Sequence, residues 1–444
     1  MESYKLSKYN IFKKKKEKTI GINLFDKRLF AITNHHYEML LDHKDYLTKL
    51  EENDPVLFSA MLKLGVIEDK STNIPTILLF RNRTAVFSDR HHRIIIMPTL
   101  NCNFSCWYCY ETHTKTMMSS DTVSNIIAYI KNLIEERKIS SLHLDWFGGE
   151  PLLGFNKIIK PIASEAKKMC DEKNVTFWMT MTTNGFLIKE SMIPFFKEHH
   201  LNSFQITLDG NEEQHNKVRY YGKQQKGSYT TIVNNIGLLA KNNIEVQLRN
   251  NYTRDILDNI SDIIPFFPPN VRHNILLALA QVWQDRKKNT ANDDIRLYEK
   301  EKEIYTLFKK AGFRVSHHKI GSGKCYSCYA DSMTTAVINY DGRVFKCTTP
   351  DFENAQEDGI LTEKGINWNE NRIAHRLAKA TFDKKICLRC IYLPICPGGC
   401  STHQSNITNK CHFKKYYKAE ISEVIKKFDK ENYKIAHLSQ MSQI

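Results

Sequence analysis

Hydrophobic and polar positions along the chain fall into three textures. In residues 1–88, Tyr9 to Phe12, Thr19 to Leu24 and Leu29 to Thr33 read as three short strands, with Phe25-Asp26-Lys27 as a turn. Asn34 stands where an N-cap would, ahead of a helical run from His36 to Leu47. A second helical run, Pro55 to Leu64, stops at Gly65 before Val66-Ile67. Three strands followed by helices predict a small winged-helix-like module, with a mere cap on the main domain as the plainer alternative.

Residues 89–310 alternate strand and helix. The strand-like segments are Ile94 to Met97, Ser141 to Phe147, Val175 to Thr182, Ser203 to Leu208, Ile244 to Asn250 and Ile275 to Gln281. Helical periodicity fills the intervals, as over Ser120 to Arg137. Such alternation predicts parallel strands joined by right-handed crossovers, an α/β domain short of a complete eightfold barrel. In residues 311–444 cysteines become dense, Gly and Pro cluster from Pro394 to Gly399, and Tyr416 to Asn432 reads as a charged amphipathic helix.

Composition sets the bounds. With 41% hydrophobic and 25% charged residues the chain is globular, and 444 residues allow two or three domains. No uncharged apolar stretch is long enough to span a bilayer, so no membrane partner is expected. The lysine-rich start, Met1 to Lys18, has no apolar signal core, which predicts a cytoplasmic, reducing location. The 12 cysteines are then metal thiolates or catalytic groups before they are disulfides. The net charge of +15 is diffuse, and its one dense run, Lys13 to Lys16, reads as a solvated hairpin tip; no nucleic-acid partner is expected.

Cys102, Cys106 and Cys109 stand at C-x3-C-x2-C directly after the first buried strand. Three thiolates on one short loop can hold three corners of a cubane iron–sulfur cluster and leave the fourth iron open to a small chelating molecule. A structural zinc site closes with four protein ligands, and no histidine stands here at finger spacing, although His92 and His113 flank the loop.

This loop, with aromatic Tyr108 before its last cysteine, resembles the signature of the radical S-adenosylmethionine (SAM) superfamily. Further elements follow in that family's order. Trp146-Phe147-Gly148-Gly149-Glu150-Pro151 resembles its GGEP motif, in which glycines allow close backbone approach and the carboxylate faces the methionyl amine. Thr182-Thr183-Asn184-Gly185 and Thr207-Leu208-Asp209-Gly210 resemble elements near the ribose and methionyl portions of SAM. Taken alone, each is an ordinary strand-to-loop turn. His215 and Arg219, followed by Gly227-Ser228-Tyr229, resemble a segment that places Arg219 as a partner for the SAM carboxylate.

A second cysteine field, Cys387, Cys390, Cys396 and Cys400 with Cys411 beyond, is preceded by Cys328 and by Gly342-x4-Cys347. This resembles the SPASM extension of peptide-modifying radical SAM enzymes, which carries auxiliary 4Fe-4S clusters. A zinc ribbon would be the favoured reading without the first loop. The resemblance implies one auxiliary cluster on Cys325, Cys328, Cys347 and Cys400, and another on Cys387, Cys390, Cys396 and Cys411. Cys170 is left over, a buried small hydrophobe by default.

The resemblance therefore implies a partial (β/α)6 TIM-like radical SAM barrel over residues 89–310. A winged-helix-like, leader-binding module would fill residues 1–88, and a SPASM domain with the C-terminal helix residues 311–444. It implies SAM and three 4Fe-4S clusters as cofactors, and one-electron cleavage of SAM to a 5′-deoxyadenosyl radical. No conventional catalytic side chain is needed for radical generation. Auxiliary clusters suit net two-electron oxidation of a peptide side chain. The implied partners are a ribosomal precursor peptide and an external one-electron reductant such as flavodoxin or ferredoxin.

Cross-linking of precursor side chains, as in daropeptides such as darobactin, is one subtype. The alternative branch, anaerobic sulfatase maturation to formylglycine, carries Asp directly after the second SPASM cysteine, where Thr348 and Thr349 stand here. A non-catalytic iron–sulfur electron carrier is the third reading, and it gives no reason for Gly148-Gly149-Glu150.

Overall fold

The computed structural model describes residues 3–222, 224–286, 291–315, 328–378, 384–396, 411 and 413–430. Cys325 and Cys400 lie outside the described residues. The chain forms two compact units. One comprises Met1–Phe87, His318–Ser332 and Ala374–Ile444; the other comprises Ser88–His317 and Met333–Ile373.

In residues 3–87 of the first unit, β1 (Tyr4–Leu6) and four further strands accompany four α-helices. A meander of β2 (Asn10–Lys14), β3 (Lys18–Asn23) and β4 (Arg28–Thr33) forms an antiparallel sheet, and β5 (Ile67–Asp69) pairs antiparallel with β1. Alternation decides what each face meets. Phe12, Phe30 and Ile32 pack toward the helices Asn34–Asp42 and Pro55–Lys63, while Tyr9, Ile20, Ile22 and Leu24 pack with Leu393, Ile421 and Ile425. A Cβ at Gly21 would stand 2.2 Å from the Phe30 ring, so only glycine lets Phe30 cross the sheet to meet Phe12.

The first helix is capped by Thr33, whose side chain accepts from His36 N at 3.0 Å, one residue earlier than the predicted Asn34. The Asn34 amide is used elsewhere: its oxygen accepts from Thr19 at 2.8 Å and its nitrogen donates to the Lys15 carbonyl at 3.0 Å. The lysine run does form a hairpin tip, closed by Lys15 N to Lys18 O at 2.9 Å. It is not merely solvated, because Lys15 and Lys18 both pair with Asp429, at 3.1 and 3.3 Å, on the helix Phe413–Lys430.

The second unit is built on eleven strands in one sheet. Its parallel part begins with β6 (His91–Ile96), β7 (Ser141–Trp146), β8 (Thr176–Thr183) and β9 (Leu201–Leu208). The ribbon β10 (Tyr220–Tyr221) and β11 (Lys226–Gly227) stands apart, and the sheet continues with β12 (Glu245–Tyr252), β13 (Ile275–Gln281) and the short β14 (Arg314–Val315). On its other side β15 (Thr335–Ile338) runs parallel to β6, and β16 (Arg343–Phe345), β17 (Gly359–Thr362) and β18 (Gly365–Trp368) extend it antiparallel. The order is β14-β13-β12-β9-β8-β7-β6-β15-β16-β17-β18.

All six predicted strands are present, β6 to β9 with β12 and β13. Strand β8 shows why: Phe177, Met179 and Met181 are buried against the helices while Trp178, Thr180 and Thr182 face the other way. Helix Ser120–Glu135, capped by Ser119, buries Ile126, Ile130, Leu133 and Ile134 on one stripe. Cys170 is fully buried in this core. Among the described residues, no helix is long and apolar enough to cross a membrane.

Candidate functional site

The cysteine loop leaves the C-terminal end of β6 and is closed on itself by its own two legs. Leu100 N donates to the Thr116 hydroxyl at 3.1 Å, Met118 N to the Pro98 carbonyl at 2.9 Å, and His113 Nδ1 meets the Leu100 carbonyl at 2.9 Å. Phe104 buries itself beneath the loop against Phe186, with ring centroids 5.6 Å apart. Cys102 and Cys106 are partly buried, Cys109 is exposed, and none is in a disulfide.

The GGE segment presses against this loop. Gly149 N donates to Thr99 O at 3.1 Å and Glu150 N to Asn101 O at 2.9 Å. A Cβ on Gly149 would lie 2.4 Å from the carbonyls of Leu100 and Asn101, and one on Gly148 (φ +109°) 2.6 Å from that of Thr99. The close approach expected of these glycines is thus made to the loop that presents the cysteines. Glu150 is fully buried and accepts from Leu152 N, Asn184 N and the Thr183 hydroxyl, all at 2.8–2.9 Å. Three donors leave one of the four acceptor positions of a carboxylate. Asn184 donates to Asn103 at 2.7 Å and lies 3.9 Å from the Cys102 sulfur.

On the opposite flank Tyr108, Asp209 and Arg219 form a buried knot. The Tyr108 hydroxyl donates to the Asp209 carboxylate, 2.7 and 2.8 Å from its two oxygens; Arg219 Nε donates to Asp209 at 2.6 Å and Nη2 to the Tyr108 hydroxyl at 2.7 Å. Burial works against the Arg219 charge, but Asp209 and Tyr108 outweigh it and hold the guanidinium protonated. Burial raises the pKa of Asp209, with Arg219 the strongest influence against it; the geometry is that of a charged pair.

His215 and Ser228 set this knot in place. The Ser228 hydroxyl donates to the Arg219 carbonyl at 2.7 Å, so its oxygen accepts from His215 Nε2 at 2.9 Å, and His215 Nδ1 accepts from Asp209 N at 3.3 Å. Burial, with Arg219 nearby, keeps the imidazole well below its usual pKa and neutral.

Two contacts to Tyr108 were not legible beforehand. Asn251, at the end of β12, donates to its hydroxyl at 3.2 Å, and Gln284 donates to its carbonyl at 3.1 Å. Asn251 follows Asn250 in a strand that had signalled only burial. A cleft lined by Trp107, Tyr108, Asp209, Asn251, Asp255 and Ile256 opens here. Thr207 lies on β9, in register beside Arg249 of β12.

The trailing leg of the loop is tied to the segment after Cys347. Tyr110 donates to Thr348 O at 2.6 Å, and Thr112 donates to Asp351 from its amide at 3.0 Å and its hydroxyl at 2.8 Å. The Cys347 thiol is buried, 3.0 Å from the Thr349 hydroxyl.

The thiols fit a cluster's electrostatic demand. Burial pushes Cys102 up to about 12, with Glu150 adding to it, and burial raises Cys106 and Cys109 too. Thiolates so placed need cationic neutralisation, which the irons of a cubane cluster provide with the three ligands present. In the first unit, burial raises the Cys387 thiol, and Cys396, Cys411 and Cys390 add to it, so these thiols influence one another. Cys328 lies in that unit and Cys347 in the other.

Residues 96–263 match the model of the Radical SAM superfamily. A cysteine-type anaerobic sulfatase-maturating enzyme of Clostridium novyi (strain NT) is 24% identical over 375 residues, 74% of this chain and 96% of that one. Native anSMEcpe with bound AdoMet and the Cp18Cys peptide has a similar structure, with TM-score 0.58 at 18% identity over 76% of this chain and 99% of that one. Streptococcus suis SuiB bound to its precursor peptide SuiA gives TM-score 0.52 at 15% identity, over 91% of this chain and 97% of that one.

Proposed function

We propose that the chain is a radical SAM enzyme that oxidatively cross-links side chains of a ribosomally made precursor peptide. The observation that carries this reading is the convergence on one loop of three free cysteines, the Glu150 carboxylate and the Tyr108–Asp209–Arg219 knot. Cys102, Cys106 and Cys109 would hold a 4Fe-4S cluster. Glu150, Thr183, Asn184, Thr207, Asp209, Arg219 and Tyr108 would surround SAM, on a floor shaped by Gly148 and Gly149. So loaded, the site supplies one-electron cleavage of SAM and a carbon-centred radical able to take hydrogen from a C–H bond.

The chain's own residues fix the geometry. Glu150 keeps one acceptor position for an ammonium group, and Arg219, immobilised by Asp209, keeps its remaining nitrogen for a carboxylate. Cys325, Cys328, Cys347 and Cys400 would hold one auxiliary cluster and Cys387, Cys390, Cys396 and Cys411 the other, to accept the surplus substrate electron; a flavodoxin or ferredoxin would reduce the first cluster.

The leader would bind the N-terminal module by strand addition at the free edge of β2. The likeness to SuiB supports a peptide substrate, because an extent of 91% takes in part of the first 87 residues. Sulfatase maturation is the second reading, favoured by the 375-residue match to the Clostridium enzyme. Against it, the position after Cys347 is Thr348, and the nearest carboxylate downstream, Asp351, is engaged by Thr112 and Asn354.

The test is reduction of reconstituted protein with SAM, and detection of 5′-deoxyadenosine. Replacing Cys102, Cys106 and Cys109 together by Ala should abolish it while roughly eight iron atoms remain. No cleavage by wild-type protein with its iron complement intact overturns the reading. Incubation with a candidate precursor peptide should remove two hydrogens from it; a formylglycine product from a sulfatase peptide instead would select the second reading.

A further inference from the structure

The face of the sheet turned away from the helices carries polar side chains on β9 and β12. On β12, Val246, Leu248 and Tyr252 enter the core, so Gln247, Arg249 and Asn251 project to the other side. Their neighbours in register are Gln205 and Thr207 on β9, and Leu276, Ala278 and Ala280 on β13. Ala278 lies beside Arg249 and Ala280 beside Asn251. Both alanines are part-exposed, and their short side chains cover little of the face at that level.

Arg249 is exposed on this face, and its Nε donates to the Asn251 side-chain oxygen at 2.9 Å. That bond fixes the guanidinium plane while its two terminal nitrogens have no partner among the described residues. Arg93, on the same face, is bonded to Asp145. Arg219 is buried, with two of its nitrogens held by Asp209 and Tyr108 and the third assigned above to SAM. Arg249 is therefore an oriented, uncommitted fork, and it is connected to the cysteine loop by a short chain. Arg249 holds Asn251, Asn251 donates to the Tyr108 hydroxyl, and Tyr108 lies between Cys106 and Cys109.

A planar guanidinium with two free parallel N–H groups matches a carboxylate in a bidentate pair. We infer that Arg249 is the anchor for a carboxylate of the peptide substrate, an acidic side chain or the C-terminus, held on the open sheet face next to the radical site. This rests on the proposed radical SAM reading and adds the chemistry that registers the substrate: a carboxylate fixed here sets which neighbouring C–H bond faces the cofactor. The role is one of binding and specificity, with no proton or electron passing through Arg249.

The test is equilibrium binding to full-length, cluster-reconstituted, oxidised protein. The probes are an acetylated Glu-Gly-Glu-Gly-Glu amide, its Gln counterpart, SAM, and decarboxylated SAM. Wild type should prefer the Glu peptide to the Gln peptide by about tenfold or more, the scale of one charge-assisted bidentate pair. Arg249→Gln should erase that preference, and Arg249→Lys should restore part of it. SAM binding should be the same in wild type and variants.

No preference in wild type, or a preference that survives Arg249→Gln, overturns the inference. So does a loss confined to SAM that spares decarboxylated SAM, because the fork would then belong to the cofactor. The radical SAM reading is scored separately by 5′-deoxyadenosine formation in wild type, which does not depend on either peptide.

Discussion

Asn251 donates to the Tyr108 hydroxyl from the end of β12, at 3.2 Å, and so ties that strand to the middle of the cysteine loop. The same hydroxyl receives Arg219 and donates to Asp209. The aromatic position of the cysteine motif is therefore a junction where strand ends from β9 and β12 are joined to the loop.

The Asp209–Arg219 pair should show strong coupling. Asp209 is 1% and Arg219 8% exposed, so removing one partner strands a buried charge. Asp209→Asn and Arg219→Met should each cost about 3–5 kcal/mol in denaturant unfolding of the reconstituted protein. The double variant should cost clearly less than the two together. Additive costs would show that the two residues do not act as a pair.

Gly149→Ala should release the cysteine loop. The added Cβ meets two backbone carbonyls at 2.4 Å, and backbone cannot turn aside as a side chain can. We expect a loss of roughly four iron atoms per chain, the content of one cubane cluster, with far-ultraviolet circular dichroism unchanged. A variant that keeps its full iron content would show that the loop tolerates displacement.

Much of this was visible in the sequence, for physical reasons. The strands β6 to β9 with β12 and β13 carry two-residue alternation or apolar runs, which burial on one face imposes. The cysteines stood out by their spacing, and Glu150 and Asp209 entered through the resemblance to family motifs. Asn251 and Gln284 were hidden, since each acts through one amide whose partner is more than a hundred residues away. The packing of Leu393, Ile421 and Ile425 with Tyr9, Ile20 and Ile22 is likewise absent from any local pattern. The cap shifted from Asn34 to Thr33 because both residue types cap well and a tertiary bond to Thr19 decided between them.

The free edge of β2 gives a test of leader binding. Lys15 N donates to Lys18 O and Leu24 N to Tyr9 O, so in this antiparallel pair the odd-numbered positions of β2 face β3. Asn10, Phe12 and Lys14 turn their backbone groups outward. Lys14→Pro should remove an outward donor and leave the ladder intact. Fluorescence anisotropy with the precursor leader should show weaker binding, while uncoupled SAM cleavage stays at the wild-type rate. Unchanged affinity would place the leader elsewhere.

His92 should make the second unit sensitive to acid. It sits 4% exposed on β6, with Nε2 at 3.1 Å from the Asp89 carbonyl and Nδ1 without a partner. Burial lowers its pKa from 6.5 to about 4; the bond to Asp89 opposes this, and Arg137 and Lys346 add to it. The unfolded chain therefore takes up a proton on this side chain at a pH where the folded chain does not. The stabilisation is complete above the ordinary histidine value and is lost as pH falls from about 6.5 toward 4, amounting to about 3 kcal/mol at the acid end. Denaturant unfolding across the upper part of that window should show stability falling with pH in wild type, and a shallower slope in His92→Asn. Parallel slopes would mean that His92 takes its proton in the folded state as readily as in the unfolded one.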